Sequence, residues 1–293
     1  MRDLSHLEPA SRPIVQRTIP ERLVYLQNAV NFPLKPLDEL QEGLRQLASG
    51  TTQSLKPLTV LFAPSGMGTS SMLARLKDSL PSVLDATSQT HVQRFALGTL
   101  SENISIPDLC AELCKSVHFA NHPFGTVPST GPRTSEALHS VGVRMIAIDD
   151  LSALRGKPND RRSQLFDFVR TAISRYGLHV VLNATPKTAR IVAQDEQLLA
   201  RANFIEILPF KSNSTEFLAF LEAYCRWCPL ERQSDLLDDQ SLRKALVQRS
   251  NGNTRNTLDI LGRLAEYAIL SGEERITYRL LRDYFDGVSY GDA

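Results

Sequence analysis

The chain has 293 residues, 42% of them hydrophobic and 22% charged, with a formal net charge of +1, a composition typical of globular proteins with one large or two modest domains. The near-neutral charge excludes a protein that attracts nucleic acid by its overall charge, so any such affinity must come from local clusters. No run of about 18 apolar residues is present, so we expect no membrane span, and residues 1–6 lack the apolar core of a signal peptide, so we expect a cytoplasmic protein.

The N-terminal region reads as two kinds of segment. Residues 1–20 are polar and contain several prolines, which favours an extended arm that docks on another surface. In residues 21–49, leucines and a valine recur at helical spacing on either side of an interruption at residues 31–36. This pattern predicts two helices.

Strand-like and helix-like segments then alternate, which predicts a parallel sheet covered on both faces. The predicted strands are residues 58–63, 91–97, 144–149, 179–184 and 204–209. The predicted helices are residues 69–80, 106–117, 134–141, 162–176 and 186–194, and residues 119–131 are predicted to be a loop.

Beyond Phe210 the pattern becomes entirely helical. Four helices are predicted, at residues 215–227, 239–250, 254–271 and 278–285. We therefore expect an N-terminal arm at 1–20, an α/β domain at 21–210 and a helical domain at 211–293.

A loop of small residues joins the first predicted strand to its helix, which is the layout of a phosphate-binding P-loop. Gly66 and Gly68 keep the loop thin enough for backbone N–H groups to reach a phosphate, and Ser70 would place a hydroxyl on Mg²⁺. Compared with the pattern G-x-x-x-x-G-K-[ST], Ala63 replaces the first glycine and Thr69 replaces the lysine. Thr69 supplies a hydrogen-bond donor without a charge, so we expect weaker triphosphate binding and still weaker catalysis. The alternative interpretation is a strand–turn–helix that holds no ligand.

The third predicted strand is apolar and ends in two carboxylates, Asp149 and Asp150, as in a Walker-B strand. Asp149 would hold Mg²⁺. Asp150 stands where a glutamate usually polarises the attacking water, and its side chain is one methylene shorter. The alternative interpretation is a pair of aspartates at the N-cap of the next helix.

Polar residues at three further places suit a nucleotide site. Asn183 or Thr185, at the end of a buried strand, could sense a γ-phosphate, although Asn and the Thr-Pro pair also favour a turn. Arg201 ends a helix just before a strand, where it could reach the nucleotide of a neighbouring subunit, although the helix C-terminus also favours a solvated arginine. Arg255 lies in the first turn of a helix, where the dipole disfavours a cation, so either a phosphate partner or a plain surface position accounts for it.

Basic residues are concentrated between Arg155 and Arg190. Such a patch can follow the phosphate backbone of double-stranded DNA, and without a base-reading motif the contact should tolerate any sequence. The alternative is a solvated helix face. The candidate contacts are Arg155, Lys157, Arg161 and Arg162.

The four cysteines form two close pairs, Cys110 with Cys114 and Cys225 with Cys228. A four-ligand zinc site is conceivable from them. The alternative is that they are reduced, buried thiols that pack as small hydrophobic side chains.

These motifs follow one another in the order seen in an AAA+ ATPase: P-loop, acid-tipped strand, sensor strand, arginine finger, and a helical lid with its own arginine. Within that class the chain resembles the TniB/TnsC family of DNA transposition regulators. The resemblance is carried by residues 21–23 with 33–35, 143–154, 195–201, 228–236 and 268–277.

The resemblance implies a P-loop AAA+ α/β module with a parallel five-stranded sheet flanked by helices, plus a small C-terminal helical lid domain. It implies ATP and Mg²⁺ bound between subunits, with Gly68, Ser70, Asp149, Asp150 and Arg201 in the family's roles. It also implies a homo-oligomer, a ring or a filament, that forms on double-stranded DNA and links a transposase to a target-selection protein. The changed P-loop implies weak or absent ATP hydrolysis. Two rival hypotheses are a nucleotide-independent AAA+-shaped scaffold and an ATP-dependent loader of replication or repair factors.

Overall fold

The structure is a computed structural model, which describes residues 4–27, 32, 34–52, 56–80, 82–84, 91–100, 105–118, 127–155 and 159–288. The chain forms two compact units: Leu37–Leu208, and Met1–Pro36 together with Pro209–Ala293. The N-terminal segment therefore belongs with the helical C-terminal region. This finding corrects the predicted division, which placed residues 21–36 in the α/β domain.

The strands, in chain order, are β1 (Leu58–Phe62), β2 (Val83–Leu84), β3 (His91–Val92), β4 (Phe95–Thr99), β5 (Met145–Asp149), β6 (His179–Ala184) and β7 (Ala202–Glu206). Five of them form a sheet in the order β4-β5-β6-β1-β7, and every pairing in it is parallel. The predicted parallel five-stranded sheet is confirmed. In register, Leu58 of β1 lies opposite Val180 of β6 and Ala202 of β7.

The second predicted strand is really two. Its first residues form β3, which pairs with β2 in a separate antiparallel ribbon, and β4 begins later and joins the main sheet. Arg94 lies between them. Its guanidinium donates to the carbonyl of Ser49 at 2.6 Å, and its own carbonyl accepts from the N–H groups of Arg144 and Met145. These contacts are made to residues distant in the chain, so local sequence did not mark the break.

The helices, in chain order, are α1 (Arg12–Val15), α2 (Ile19–Gln27), α3 (Lys35–Ser49), α4 (Thr69–Ser79), α5 (Ile106–Ser116), α6 (Val127–Ser140), α7 (Asn159–Tyr176), α8 (Pro186–Ala193), α9 (Glu196–Arg201), α10 (Thr215–Trp227), α11 (Gln240–Ser250), α12 (Thr254–Leu270) and α13 (Tyr278–Val288). A 3₁₀ helix, Leu151–Leu154, follows β5. Side-chain caps explain several of the starts. Ser105 and Thr185 each form a capping box before a helix that has a proline among its first two residues.

Helix α6 corrects the predicted loop at residues 119–131, because residues 127–131 are helical, while residues 119–126 lie outside the described part. The proline and glycine content suggested a loop. Thr134 and Ser135 are nevertheless fully buried, and the Ser135 hydroxyl donates to the carbonyl of Gly131 at 3.1 Å. Packing of α6 against α5 and α7 thus overrides the local preference.

The helical unit contains α1, α2 and α10–α13 around a core rich in aromatic side chains. The ring of Tyr25 on α2 stacks on Trp227 with centroids 5.3 Å apart. Leu7, Ile14 and Val15 are buried, which corrects the prediction of an extended arm over residues 1–20. The described part of that segment folds onto its own unit because these apolar side chains have a core to enter.

The cysteines pack as hydrophobic side chains. Burial raises the pKa of Cys110 and Cys114 to about 11 and that of Cys225 and Cys228 to about 12, so all four thiols stay protonated at neutral pH. Within the described residues, no group of three or more His, Cys, Asp or Glu side chains is placed to hold a metal. The zinc interpretation therefore has no support from the structure.

None of the helices in the described part of the chain combines the length and the apolarity needed to cross a membrane.

Candidate nucleotide site

The P-loop follows β1 at the carboxyl edge of the sheet. Gly66 and Gly68 both have a φ of 88°, in the left-handed region where a side chain would be strained. Gly68 occupies the N-cap position of α4 and makes no side-chain cap. The first N–H groups of α4 are therefore not claimed by a capping side chain, and the positive end of the helix can receive an anion.

Thr69 is the first residue of α4 and is 9% exposed. Its place is where a lysine of this loop would put an ammonium group beside the terminal phosphates. The Ala63 side chain at the start of the loop is also buried. Attraction for a phosphate must therefore come from backbone N–H groups and from a bound cation.

Three residues that are far apart in the sequence meet beside this loop. The Ser70 hydroxyl donates to Oδ1 of Asp149 at 3.1 Å. The amide nitrogen Nδ2 of Asn183 donates to the same Oδ1 at 2.6 Å and lies 3.4 Å from the Ser70 hydroxyl. They meet because β1, β5 and β6 are adjacent and parallel, so their carboxyl ends share one edge.

This donor set suits a magnesium ion. Mg²⁺ prefers oxygen ligands and is usually held by one or two carboxylates together with phosphate oxygens. Ser70 and Asp149, the two residues predicted from the sequence as metal ligands, offer a hydroxyl and a carboxylate that lie in contact. Their role as metal ligands remains a prediction.

Asp150 has a φ of 52°, and its carboxylate accepts from the N–H of Ser152 at 3.1 Å, capping the 3₁₀ helix Leu151–Leu154. Its backbone N–H donates to Asp149 at 2.9 Å. The N-cap alternative raised from the sequence thus describes Asp150. Its role as the water-polarising acid remains a prediction, and the exposed carboxylate is open to solvent.

Arg201 ends α9 and lies apart from the Ser70 group. With Gln197 it lines a cleft of about 420 Å³ against α7, whose Arg170 and Arg175 face the same space. Asp195 caps α9 through the N–H of Leu198 and accepts from Arg170 at 2.7 Å. The Asp195–Arg170 ion pair was not predicted, and the signal that could have indicated it is an acid at an N-cap position.

Arg255 lies in the first turn of α12 in the helical unit, and its side chain is exposed. Asn253 caps that helix. The contact of Arg255 with a phosphate remains a prediction.

The predicted DNA contacts are described only in part. Arg155 is exposed just after the 3₁₀ helix. Lys157 lies outside the described residues, and Arg161 is described only as part of the α7 backbone. Arg162 is half-buried, and its Nε has no hydrogen-bond partner among the described residues. Arg170, from the same basic stretch, is held in ion pairs by Asp167 and Asp195.

Comparison with solved structures shows where this fold occurs. ORC2 of Aeropyrum pernix, in ADPNP and ADP complexes, has a TM-score of 0.59 and 14% identity, with 91% of this chain and 72% of that chain covered. Cdc6p of Pyrobaculum aerophilum has a TM-score of 0.60 and 17% identity over 92% and 72% of the two chains. ORC1 of Aeropyrum pernix, in complex with DNA, has a TM-score of 0.54 and 18% identity over 91% and 69%.

At such identities the likeness shows the fold alone. The fold is that of an AAA+ P-loop protein, with a parallel five-stranded sheet flanked by helices and a helical C-terminal region. A comparison with curated proteins gave no match.

The sequence itself matches the family described as bacterial TniB protein over residues 22–212. This match takes in the P-loop, Asp149 at the end of β5 and Asp150 after it, the sheet and Arg201, and it spans more than half of the chain. The chain therefore belongs to the TniB family.

Proposed function

We propose that this chain is an ATP-binding regulator of DNA transposition that assembles with copies of itself on double-stranded DNA and links a transposase to a target-selection protein. Membership of the TniB family supports the process. The observation that carries nucleotide binding is the meeting of Ser70, Asp149 and Asn183 beside an uncapped helix start.

The bound nucleotide would be held mainly by backbone groups. N–H groups around Gly66, Gly68 and the start of α4 would face its phosphates. Ser70 and Asp149 would hold Mg²⁺, which neutralises phosphate charge when bound. Arg201 would act on the nucleotide of a neighbouring subunit, so assembly and nucleotide state would be coupled.

The missing lysine sets the strength of this site. Two opposite unit charges 4 Å apart attract by about 4 kcal/mol at an effective dielectric constant of about 20. Without that attraction, we propose that nucleotide binding is weak and depends strongly on Mg²⁺. Hydrolysis is weak or absent for the same reason, because the developing charge on the γ-phosphate lacks one of its usual partners.

Calorimetry of ATP with magnesium tests this proposal on the native protein and on Thr69→Lys. We expect Thr69→Lys to bind ATP at least about a hundredfold more tightly, from the Coulomb attraction above. The matched control is Thr215→Lys, the same change at the exposed first position of α10, which should leave the affinity unchanged. If neither the native protein nor Thr69→Lys releases heat with ATP, nucleotide binding is refuted.

Assembly on DNA needs its own test. The solved structure of the fold neighbour ORC1 is of a DNA complex, and Arg155 is exposed and available to a phosphate. Light scattering with duplex DNA should rise on adding ATP and magnesium. Arg155→Glu should lower DNA affinity and reduce the salt dependence by about one phosphate contact, whereas Lys115→Glu, an exposed change on α5, should not. Equal effects of the two variants would contradict the assignment of Arg155.

A nucleotide-independent scaffold is the second candidate. One observation favours it: Oδ1 of Asp149 already accepts from Ser70, Asn183 and the N–H of Asp150, so this carboxylate oxygen is satisfied without a cation. Scattering on DNA that is the same with and without ATP would support the scaffold.

A further inference from the structure

The side chain of Asn183 uses only one end of its carboxamide. Nδ2 donates to Asp149 at 2.6 Å and lies 3.4 Å from the Ser70 hydroxyl. Oδ1 is buried and has no hydrogen-bond partner among the described residues, and the whole residue is only 6% exposed. A buried acceptor without a donor is costly, so a native site that keeps one calls for an explanation.

The carboxamide can take two orientations. A half-turn about its last side-chain bond exchanges the oxygen and the nitrogen. Either orientation leaves one buried atom of Asn183 unpaired, so this term does not decide between them. What decides the orientation is whether a cation occupies the space between Asp149 and Ser70. Without a cation the NH₂ group faces the carboxylate, whereas a cation in that space would favour the oxygen.

We infer that Asn183 is a third protein ligand of the divalent cation, through Oδ1, beside Ser70 and Asp149. This inference rests on the proposed function, since the cation accompanies the nucleotide. Mg²⁺ takes oxygen ligands, and an amide oxygen is one of them. A third protein ligand also offsets the change at Thr69, because the cation supplies the positive charge that a lysine would carry.

The two roles of Asn183 predict effects of opposite sign. If Asn183 only donates to Asp149, it competes with the cation, and removing its amide would strengthen the effect of magnesium on nucleotide affinity. If Oδ1 is a ligand, removing it weakens that effect. Asn183→Leu keeps the number and branching of the side-chain heavy atoms and has no polar atom, so it separates the two roles.

The experiment measures ADP affinity by calorimetry with magnesium and with EDTA. The magnesium gain is the ADP affinity measured with magnesium divided by the ADP affinity measured with EDTA. We expect the gain to fall about tenfold or more in Asn183→Leu, as for other changes around metal ligands, and to be kept or increased in Asn183→Asp, which retains an oxygen. The matched control is Asn203→Leu at an exposed position of β7, which should keep the native gain. Electron paramagnetic resonance of Mn²⁺ in the ADP complex should show less bound cation in Asn183→Leu than in the native protein, and no less than native in Asn183→Asp and Asn203→Leu.

A magnesium gain in Asn183→Leu that equals or exceeds the native gain overturns the inference. If Asn183→Leu does not fold, Asn183→Asp carries the test, and a magnesium gain below the native gain overturns the inference. If the native protein binds ADP under neither condition, the proposed function fails. Mn²⁺ titration of the nucleotide-free native, Asn183→Leu and Asn203→Leu proteins then decides the inference separately, with a loss confined to Asn183→Leu supporting it and equal affinities overturning it.

Discussion

Replacing Arg22 by alanine should destabilise the helical unit strongly. The Arg22 side chain is 5% exposed and that of Glu274 is 12% exposed. Two guanidinium nitrogens donate to the two carboxylate oxygens of Glu274, at 2.9 and 2.5 Å, and Nη2 also donates to the carbonyl of Pro229 at 2.8 Å. This bidentate pair joins α2 to the turn after α12.

The expected loss follows from what remains after truncation. In Arg22→Ala, the buried carboxylate of Glu274 keeps the N–H of Glu231, at 3.3 Å, but loses its counter-charge, and the carbonyl of Pro229 loses a donor. Removing one partner of a buried ion pair costs about 3–5 kcal/mol. Since domains are stable by only about 5–15 kcal/mol, the unit should lose a large part of its stability. Adding Glu274→Gln to Arg22→Ala should restore part of the loss, because the stranded charge is then gone.

The chain provides its own probe for this unit. Trp227 is the single tryptophan, and it stacks on Tyr25 of α2. Urea unfolding followed by tryptophan fluorescence therefore reports on the packing that Arg22 supports. Arg17→Ala removes an exposed arginine just before the same helix and should change the free energy of unfolding by no more than about 0.5 kcal/mol.

A loss below about 1 kcal/mol for Arg22→Ala would refute this reasoning. So would a double variant no more stable than Arg22→Ala, because the penalty would then not come from the stranded carboxylate.

Three further predictions concern the α/β unit. Burial lowers the pKa of His179 from 6.5 to about 4, so its contribution to the free energy of unfolding should be complete above pH 6.5 and should fall by up to about 3 kcal/mol as the pH drops to 4; His179→Gln should remove this part of the pH dependence in urea titrations followed by circular dichroism, and an unchanged profile would contradict it. Gly98→Ala would place a Cβ 2.9 Å from Cδ1 of Leu109, so we expect a loss of about 1–3 kcal/mol in the same assay, and a neutral result would show that α5 yields easily. Asp195→Ala removes both the cap of α9 and the ion pair with Arg170, whereas Asp195→Asn loses the ion pair but keeps a good capping group. The alanine variant should therefore be less stable than the asparagine variant by about 1 kcal/mol. Equal stabilities of the two variants would mean that the cap contributes nothing.

Much of the fold could be predicted because its signals are local. Strands of a parallel sheet are buried on both faces and read as continuous apolar runs, so β1, β5 and β6 were recognisable. The small residues of the P-loop and the two acids, Asp149 at the end of β5 and Asp150 after it, lie within or next to those runs. Their order along the chain was enough to indicate a P-loop fold.

The contacts within the site could not be predicted from local sequence patterns. Strand order decides that the ends of β1, β5 and β6 meet, and only then does the Asn183 carboxamide face Asp149 rather than solvent. Asp150 could be read as a catalytic acid or as a cap, and the structure shows that its carboxylate caps the 3₁₀ helix that follows. Its role as a catalytic acid stays a prediction.

The sequence by itself determined the elements, the P-loop with its threonine, and the family resemblance, because each depends on residues close together in the chain. Only the tertiary structure paired Arg22 with Glu274, residues that belong to two of the segments carrying that resemblance. The tertiary structure also places the N-terminal segment in the helical unit. Such contacts join residues separated by most of the chain, and they exist because buried charges and apolar side chains must find partners that no local pattern specifies.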